Sequence, residues 1–283
     1  MDSSHSCLLT IRSIYPSLYE VEKKIADYLL KHPEIIINMT VAEISEELQV
    51  AHSSIVRFCQ KIGFDGFSQL KINLARNLKK PEELIGEDID RSDDPFTITN
   101  KVFSSSIRAL KDTIKMLDRT ELARAADALL NAKRIEFYGV GTSAPIATDA
   151  YYRFMRIGLP AYTATDPHVM RISANMLDAG CVAVGVSHTG RTRDTVSAIR
   201  IAKDKSAKTI CITSFTGSPI FELSDIKLVT STAETKIMKE AVSSRIAQIA
   251  LIDGLYACIA LRKYDKTLEN IGNMAEILNE MRY

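Results

Sequence analysis

A surplus of charge of either sign is what the sequence most clearly lacks. Lysine and arginine number 36 against 35 aspartate and glutamate, a formal net charge of +1 over 283 residues. A uniformly basic coat for nucleic acid is excluded, so any DNA contact must come from a local patch. No apolar run approaches the roughly 18–20 residues of a membrane span, so no membrane contact is expected. Met1 to Arg12 is polar and lacks the apolar core of a signal peptide. Cysteine is sparse: Cys7, Cys59, Cys181, Cys211 and Cys258 make no CxxC pair. Reduced, mostly buried thiols in a cytoplasmic protein are expected. The histidines form neither HxH nor HExxH, so neither a metal nor a cofactor is expected. No segment repeats at a fixed period.

What is present suits a globular chain. Apolar residues make up 46% and charged residues 25%, enough for one large domain or two modest ones. The pattern changes at an acidic stretch, 81–95, where Glu82, Glu83, Glu87, Asp88, Asp90, Asp93 and Asp94 face only Arg91 between Pro81 and Pro95. It reads as a linker between an all-α domain, 1–80, and an α/β domain, 96–283. In the second domain, helices at 97–117 and 120–131 precede strands Ile135–Tyr138, Ala161–Ala164, Val182–Val186, Thr209–Thr213 and Ile226–Val229. Helices at 144–157, 167–178, 193–204 and 219–223 alternate with them. A long apolar helix, 239–262, and a last one, 266–281, follow. Short apolar strands alternating with helices imply a doubly wound, five-stranded parallel sheet covered on both faces.

In the first domain, Val21, Ile25 and Leu29 recur at helical spacing, and the helix stops at Pro33. A second helix opens at Thr40, with Glu43 three residues on as a capping-box partner. A third opens at His52-Ser53-Ser54, buries Ile55, Phe58, Cys59 and Ile62, and closes on Gly63. Two short helices joined by a tight turn fit a helix-turn-helix, whose second helix enters the major groove by its N-terminal end. The candidate DNA-contacting residues are His52, Ser53, Ser54, Arg57, Lys61 and Lys71. From His52 to Lys80, Arg57, Lys61, Lys71, Arg76, Lys79 and Lys80 stand against Asp65 alone, a local phosphate-binding footprint. The plainer reading is a helical bundle with solvated lysines. Phe64 and Phe67 read as its core.

Two loops at strand ends carry the chemistry. Gly139-Val140-Gly141-Thr142-Ser143-Ala144 follows the first strand and opens a helix. It fits a dinucleotide fingerprint, with Asp166 as a ribose acid, as well as a plain tight turn. Ser187-His188-Thr189-Gly190-Arg191-Thr192 follows the third strand. Three hydroxyls around a glycine at a helix N-terminus make a phosphate cradle, and serine or threonine as N-cap is the plainer alternative. No Walker lysine is present, which disfavours a nucleoside triphosphate.

Strand-GVGTSA-helix followed by strand-SHTGRTRD-helix resembles the sugar isomerase (SIS) domain over roughly residues 105–265. With the helix-turn-helix and its IVRFCQKIGFDGFSQLK run, nearly the whole chain resembles an RpiR-type transcriptional regulator. The resemblance implies a SIS dimer, or a tetramer, that binds a phosphosugar and controls binding to a double-stranded DNA operator. N-acetylmuramic acid 6-phosphate and other hexose or amino-sugar phosphates are candidate effectors. By position, it implies Ser143, Ser187, Thr189, Gly190 and Thr192 as phosphate ligands. It implies Gly141, Thr142, His168, Glu240 and Ser244 as sugar contacts. Two other readings stand beside it. An aldose–ketose isomerase would use Glu240, His168 and Lys239 as acid–base groups, and a redox sensor would hold a dinucleotide in the Gly139 loop. His188 reads as shaping its loop, and Met170 and Met176 as core. The long helix, through Ile246, Ile249, Ala250, Ile252 and Leu255, is expected to lie partly in a subunit interface.

Overall fold

The computed structural model describes residues 7–77, 89–232 and 242–279. Two compact units divide the chain, Met1–Ser104 and Ser105–Tyr283.

The first unit packs α1 (Cys7–Ile14), α2 (Glu20–Lys31), α3 (Pro33–Ile36), α4 (Val41–Leu48), α5 (His52–Lys61) and α6 (Phe67–Asn77). Helix α1 falls within and just past the polar start of the sequence, where no element was expected. It buries Cys7 and Ile11 in one core with Ile25, Leu29, Ile44, Phe58 and Leu74. Phe64 and Phe67 join that core, as their pattern predicts. Val21 does not: it sits in the first turn of α2, ahead of the buried line Ile25, Ala26 and Leu29, and is 47% exposed. The Thr40 capping box forms. Glu43 N donates to Thr40 Oγ1 at 3.2 Å, and Thr40 N donates to Glu43 Oε2 at 2.6 Å. Gln49 turns the chain between α4 and α5 with a φ of 51°, and Gly63 ends α5 with a φ of 89°. Burial pushes the thiols of Cys7 and Cys59 up to about 12, so both stay protonated and inert.

The division between the units falls within α7 (Pro95–Met116). Then come α8 (Arg119–Asn131), β1 (Arg134–Tyr138), α9 (Ala144–Arg156), β2 (Ala161–Ala164), α10 (Pro167–Asn175), β3 (Cys181–Val186), α11 (Arg193–Asp204), β4 (Lys208–Thr213), α12 (Pro219–Leu223) and β5 (Ile226–Val229). Helices α13 (Val242–Arg262) and α14 (Tyr264–Asn279) close the unit. The strands pair in parallel in the order β2-β1-β3-β4-β5. Tyr138 lies beside Gly185, so β1 and β3 end next to one another.

The two sheet faces differ in size. Ile135, Phe137, Val182, Val184, Val186, Ile210 and Ile212 point to the face covered by α8, α9 and α13. Toward α10, α11 and α12 the two central strands show mostly small residues: Cys181, Ala183, Gly185 and Cys211. That lets α11 come close: a Cβ on Gly185 would stand 2.7 Å from Ile220 Cδ1 and 2.8 Å from Ile199 Cγ1. Met170 is core, but Met176, at the C-cap of α10, is 69% exposed.

Helix α13 corrects two expectations. Ser243–Arg262 is long and apolar enough, by length and composition, to cross a membrane. Its inner side packs as core, with Ala247, Leu251, Ile252, Leu255 and Ile259 buried. Ile252 and Leu255 therefore belong to the unit's own interior, not to a subunit interface. Among the described side chains of α13, Ile246 and Leu261 are the large apolar ones left exposed.

Candidate functional site

Ligands of open parallel sheets sit beyond the carboxyl ends of the strands. Both loops singled out in the sequence lie there, on the neighbours β1 and β3.

After β1, Gly139 and Val140 lead into a single 3₁₀ turn, Gly141–Ser143, that runs straight into α9. Gly139 is required by space: a Cβ there would lie 2.6 Å from the Ser143 carbonyl oxygen. Gly141 is required by conformation, with a φ of 60°. Ser143 is buried at the foot of the turn, whereas Gly141 and Thr142 are exposed at its tip.

After β3, Ser187 Oγ donates to Thr192 Oγ1 at 3.3 Å and accepts from Gly190 N at 3.1 Å. Arg191 N donates to Thr189 Oγ1 at 3.3 Å. Thr192 is the N-cap residue of α11, yet its side chain makes no cap bond. Helix capping therefore does not account for this hydroxyl. Gly190 has a φ of 64°, and a Cβ there would lie 2.1 Å from Ser218 Oγ.

Residues beyond the predicted set complete this edge. His188 Nδ1 lies 3.0 Å from Ser214 Oγ, which lies 3.1 Å from Thr230 Oγ1. Thr213 Oγ1 and Ser214 N both donate to the His188 carbonyl, at 3.1 and 3.0 Å. His188 thus ties its loop to the ends of β4 and β5, which fits the loop-shaping role read from sequence. The hydroxyls of Thr195, on the first turn of α11, and Ser218, at the start of α12, are buried without a hydrogen-bond partner. The sequence carries a trace of this second wall: Ser214-Phe215-Thr216-Gly217 repeats the S-x-T-G pattern of Ser187–Gly190 one strand further on. Gly217, like Gly190, takes a positive φ, here 74°.

The other predicted contacts are placed differently. Asp166 Oδ1 accepts from His168 N at 2.9 Å and Val169 N at 3.0 Å, so this carboxylate caps α10. That accounts for it without a ribose. The His168 side chain is exposed at the start of α10, and Ser244 is buried in the first turn of α13. Glu240 and Lys239 lie outside the described residues.

In the first unit, α5 follows α4 after the turn 49–51. Its N-cap, Ala51, offers no side-chain acceptor, so the first-turn amides carry no side-chain cap. His52, Ser53, Arg57, Gln60 and Lys61 are exposed along one side, Ser54 is half-buried, and Ile55, Phe58 and Cys59 are buried on the other. The spacing did not single out Gln60. Lys61 Nζ is paired with Glu22 Oε2 at 2.6 Å. Lys71 Nζ donates to the Met39 carbonyl at 2.8 Å and lies 5.7 Å from the centre of the Phe67 ring. Of the six cations counted after His52, Lys79 and Lys80 and the side chain of Arg76 lie outside the described residues.

Residues 5–81 match the family model "Helix-turn-helix domain, rpiR family", and residues 128–257 match the SIS domain. An HTH-type transcriptional regulator of Caldanaerobacter subterraneus is 37% identical over 272 residues, covering 96% of each chain. This chain belongs to the RpiR family of HTH-type transcriptional regulators. Within that family, HexR of Pseudomonas aeruginosa is 30% identical to it over 273 residues, covering 96% of this chain and 95% of HexR. The RpiR-family architecture extends to solved structures. The Vibrio vulnificus NanR protein complexed with ManNAc-6P superposes with a TM-score of 0.62 at 25% identity, covering 98% of this chain and 99% of that one.

Proposed function

We propose that this RpiR-family protein represses sugar-catabolism genes and that its SIS domain binds a phosphosugar that alters its grip on a double-stranded DNA operator. One observation carries the effector half: Thr192, at the head of α11, turns its hydroxyl to Ser187 instead of capping the helix. Ser143, Ser187, Thr189 and Thr192 then supply hydroxyls, and Gly190 a tight turn, at neighbouring strand ends beside the α9 and α11 N-termini. That is the chemistry a phosphate dianion needs. His168, Glu240, Ser244, Gly141 and Thr142 are assigned to the sugar. The ligand named for NanR favours a hexose or amino-sugar phosphate, with N-acetylmuramic acid 6-phosphate among the candidates.

The DNA half rests on the exposed side of α5, with Ser53, Ser54 and Arg57 foremost. We assign residues 1–80 to DNA binding, 81–95 to the linker and 96–283 to the effector domain of a cytoplasmic homodimer or homotetramer. The protein binds its phosphosugar without turning it over. Its relatives are named as regulators, and a DNA-reading helix has no task in an isomerase.

A phosphosugar panel tests the reading by thermal shift and operator binding. A ligand at about 100 times its Kd adds roughly 2.7 kcal/mol. The specific sugar phosphate should raise the melting temperature and change operator affinity, and its dephosphorylated form should do neither. Equal responses to both, or measurable isomerisation, would overturn the reading.

A further inference from the structure

Lys61 closes the exposed side of α5, yet its ammonium is already engaged. Nζ lies 2.6 Å from Glu22 Oε2 and 5.3 Å from the centre of the Tyr19 ring. The same carboxylate oxygen accepts from Tyr19 N at 2.9 Å, so Glu22 is fixed by the first turn of its own helix. Both side chains are partly open to solvent, at 34% and 23%. Arg57 and Lys61 are the lysine and arginine residues of α5, and Glu22 neutralises the second. A carboxylate oxygen at this distance from an ammonium makes the contact that a DNA phosphate oxygen would make.

We propose that Glu22 is an intramolecular stand-in for a DNA phosphate, which any duplex must displace from Lys61 before that lysine reaches the backbone. The inference rests on the DNA-facing reading of α5. A free lysine that meets a phosphate releases about 0.9 of a condensed counterion. Lys61 instead exchanges one anion for another and leaves Glu22 unpaired beside the polyanion. Its contribution to sequence-independent binding is therefore largely cancelled. Contacts that depend on base edges are untouched, and the pair lowers the phosphate-driven, sequence-independent part of binding.

Fluorescence anisotropy with a short duplex of arbitrary sequence, over a series of salt concentrations, tests this on the full chain. Glu22→Gln keeps an acceptor for Tyr19 N, and its melting temperature checks that α2 is intact. It should bind the duplex about three- to tenfold tighter at low salt, with a salt slope steeper by up to about 0.9. The gain should be markedly smaller in the Lys61→Ala background, where Glu22→Gln removes only the repulsion between its charge and the duplex. Unchanged or weaker binding by Glu22→Gln, or a gain of undiminished size without Lys61, overturns the role of Glu22 while leaving α5 as the DNA-facing helix. Failure of the wild-type protein to bind any duplex overturns the α5 reading itself, and this inference with it.

Discussion

Ser187 reaches across its own turn to Thr192: the two hydroxyl oxygens stand 3.3 Å apart, with the Gly190 amide held on Ser187 at 3.1 Å. The loop is thus ordered by the groups assigned to the ligand. A phosphate entering there would meet hydroxyls and amides already set in place, and ordering them on binding would cost little.

Replacing Ser187 and Thr192 together by alanine should leave folding and operator binding intact and abolish the response to phosphosugar. Each hydrogen bond to a charged phosphate contributes about 1.5–3 kcal/mol. Two lost bonds correspond to about two to four orders of magnitude in affinity. Calorimetric titration of the double variant measures this, and a wild-type Kd would remove the cradle.

Gly190→Ala should be worse than its size suggests. The residue has a φ of 64°, and the new Cβ would lie 2.1 Å from Ser218 Oγ and 2.9 Å from Thr213 Oγ1. Strain and overpacking together should cost about 1–3 kcal/mol. Ser218→Gly in the same chain should restore part of the melting temperature. An unaltered melting curve for Gly190→Ala alone would refute the close approach.

Arg57 is exposed on α5, away from the helical core. Arg57→Ala should therefore keep the melting temperature and weaken operator binding by about 1–3 kcal/mol, if it reads a base edge. Unchanged affinity would remove its assigned role.

Thr40→Ala tests the support beneath the DNA-facing helix. Losing the cap of α4 should cost about 1 kcal/mol in urea denaturation. The backbone amide of Thr40, and next its hydroxyl, hold the Glu43 carboxyl below its ordinary value. A carboxyl lowered by folding stabilises the native state above its unfolded value, and the benefit fades as pH falls through the lowered one. The wild type should therefore lose stability on acidification in that range more steeply than a Thr40→Ala, Glu43→Ala double variant. Parallel pH profiles would count against the capping box.

Ile246 and Leu261 remain exposed on α13, at 38% and 70%. Sedimentation of the wild type at micromolar concentration should show at least a dimer. Leu261→Glu should shift it toward monomer if that face is shared. A monomeric wild type would contradict the proposed assembly.

Most of the sheet and both loops were legible because their causes are local. Strand periodicity, helix stops and glycine-hydroxyl runs act over a few residues, and the five strands fell within a residue of their expected ends. The failures have non-local causes. Val21 continues the spacing of Ile25 and Leu29, but the core ends before the first turn of α2 reaches it. Met176 lies past the buried side of α10. Helix α1 is short and becomes a core element only against partners up to 66 residues away, such as Asn73, whose Oδ1 accepts from Cys7 N. At the candidate site, the link from His188 through Ser214 to Thr230 joins three strand ends, and spacing within any single loop does not reveal it.

The unequal faces of the sheet constrain how this sequence can drift. Toward α11, where Gly185 already has Ile199 and Ile220 within reach of a single added carbon, tolerated change runs only to equal or smaller side chains. Toward α9 and α13, where Val184, Ile210 and Ile212 fill the interior, loss of volume opens cavities and growth meets dense packing. A lineage can therefore retune the α11 side only by moving that helix. Because Thr192 is the N-cap residue of α11, such a movement would carry the hydroxyl turn at its head along with it.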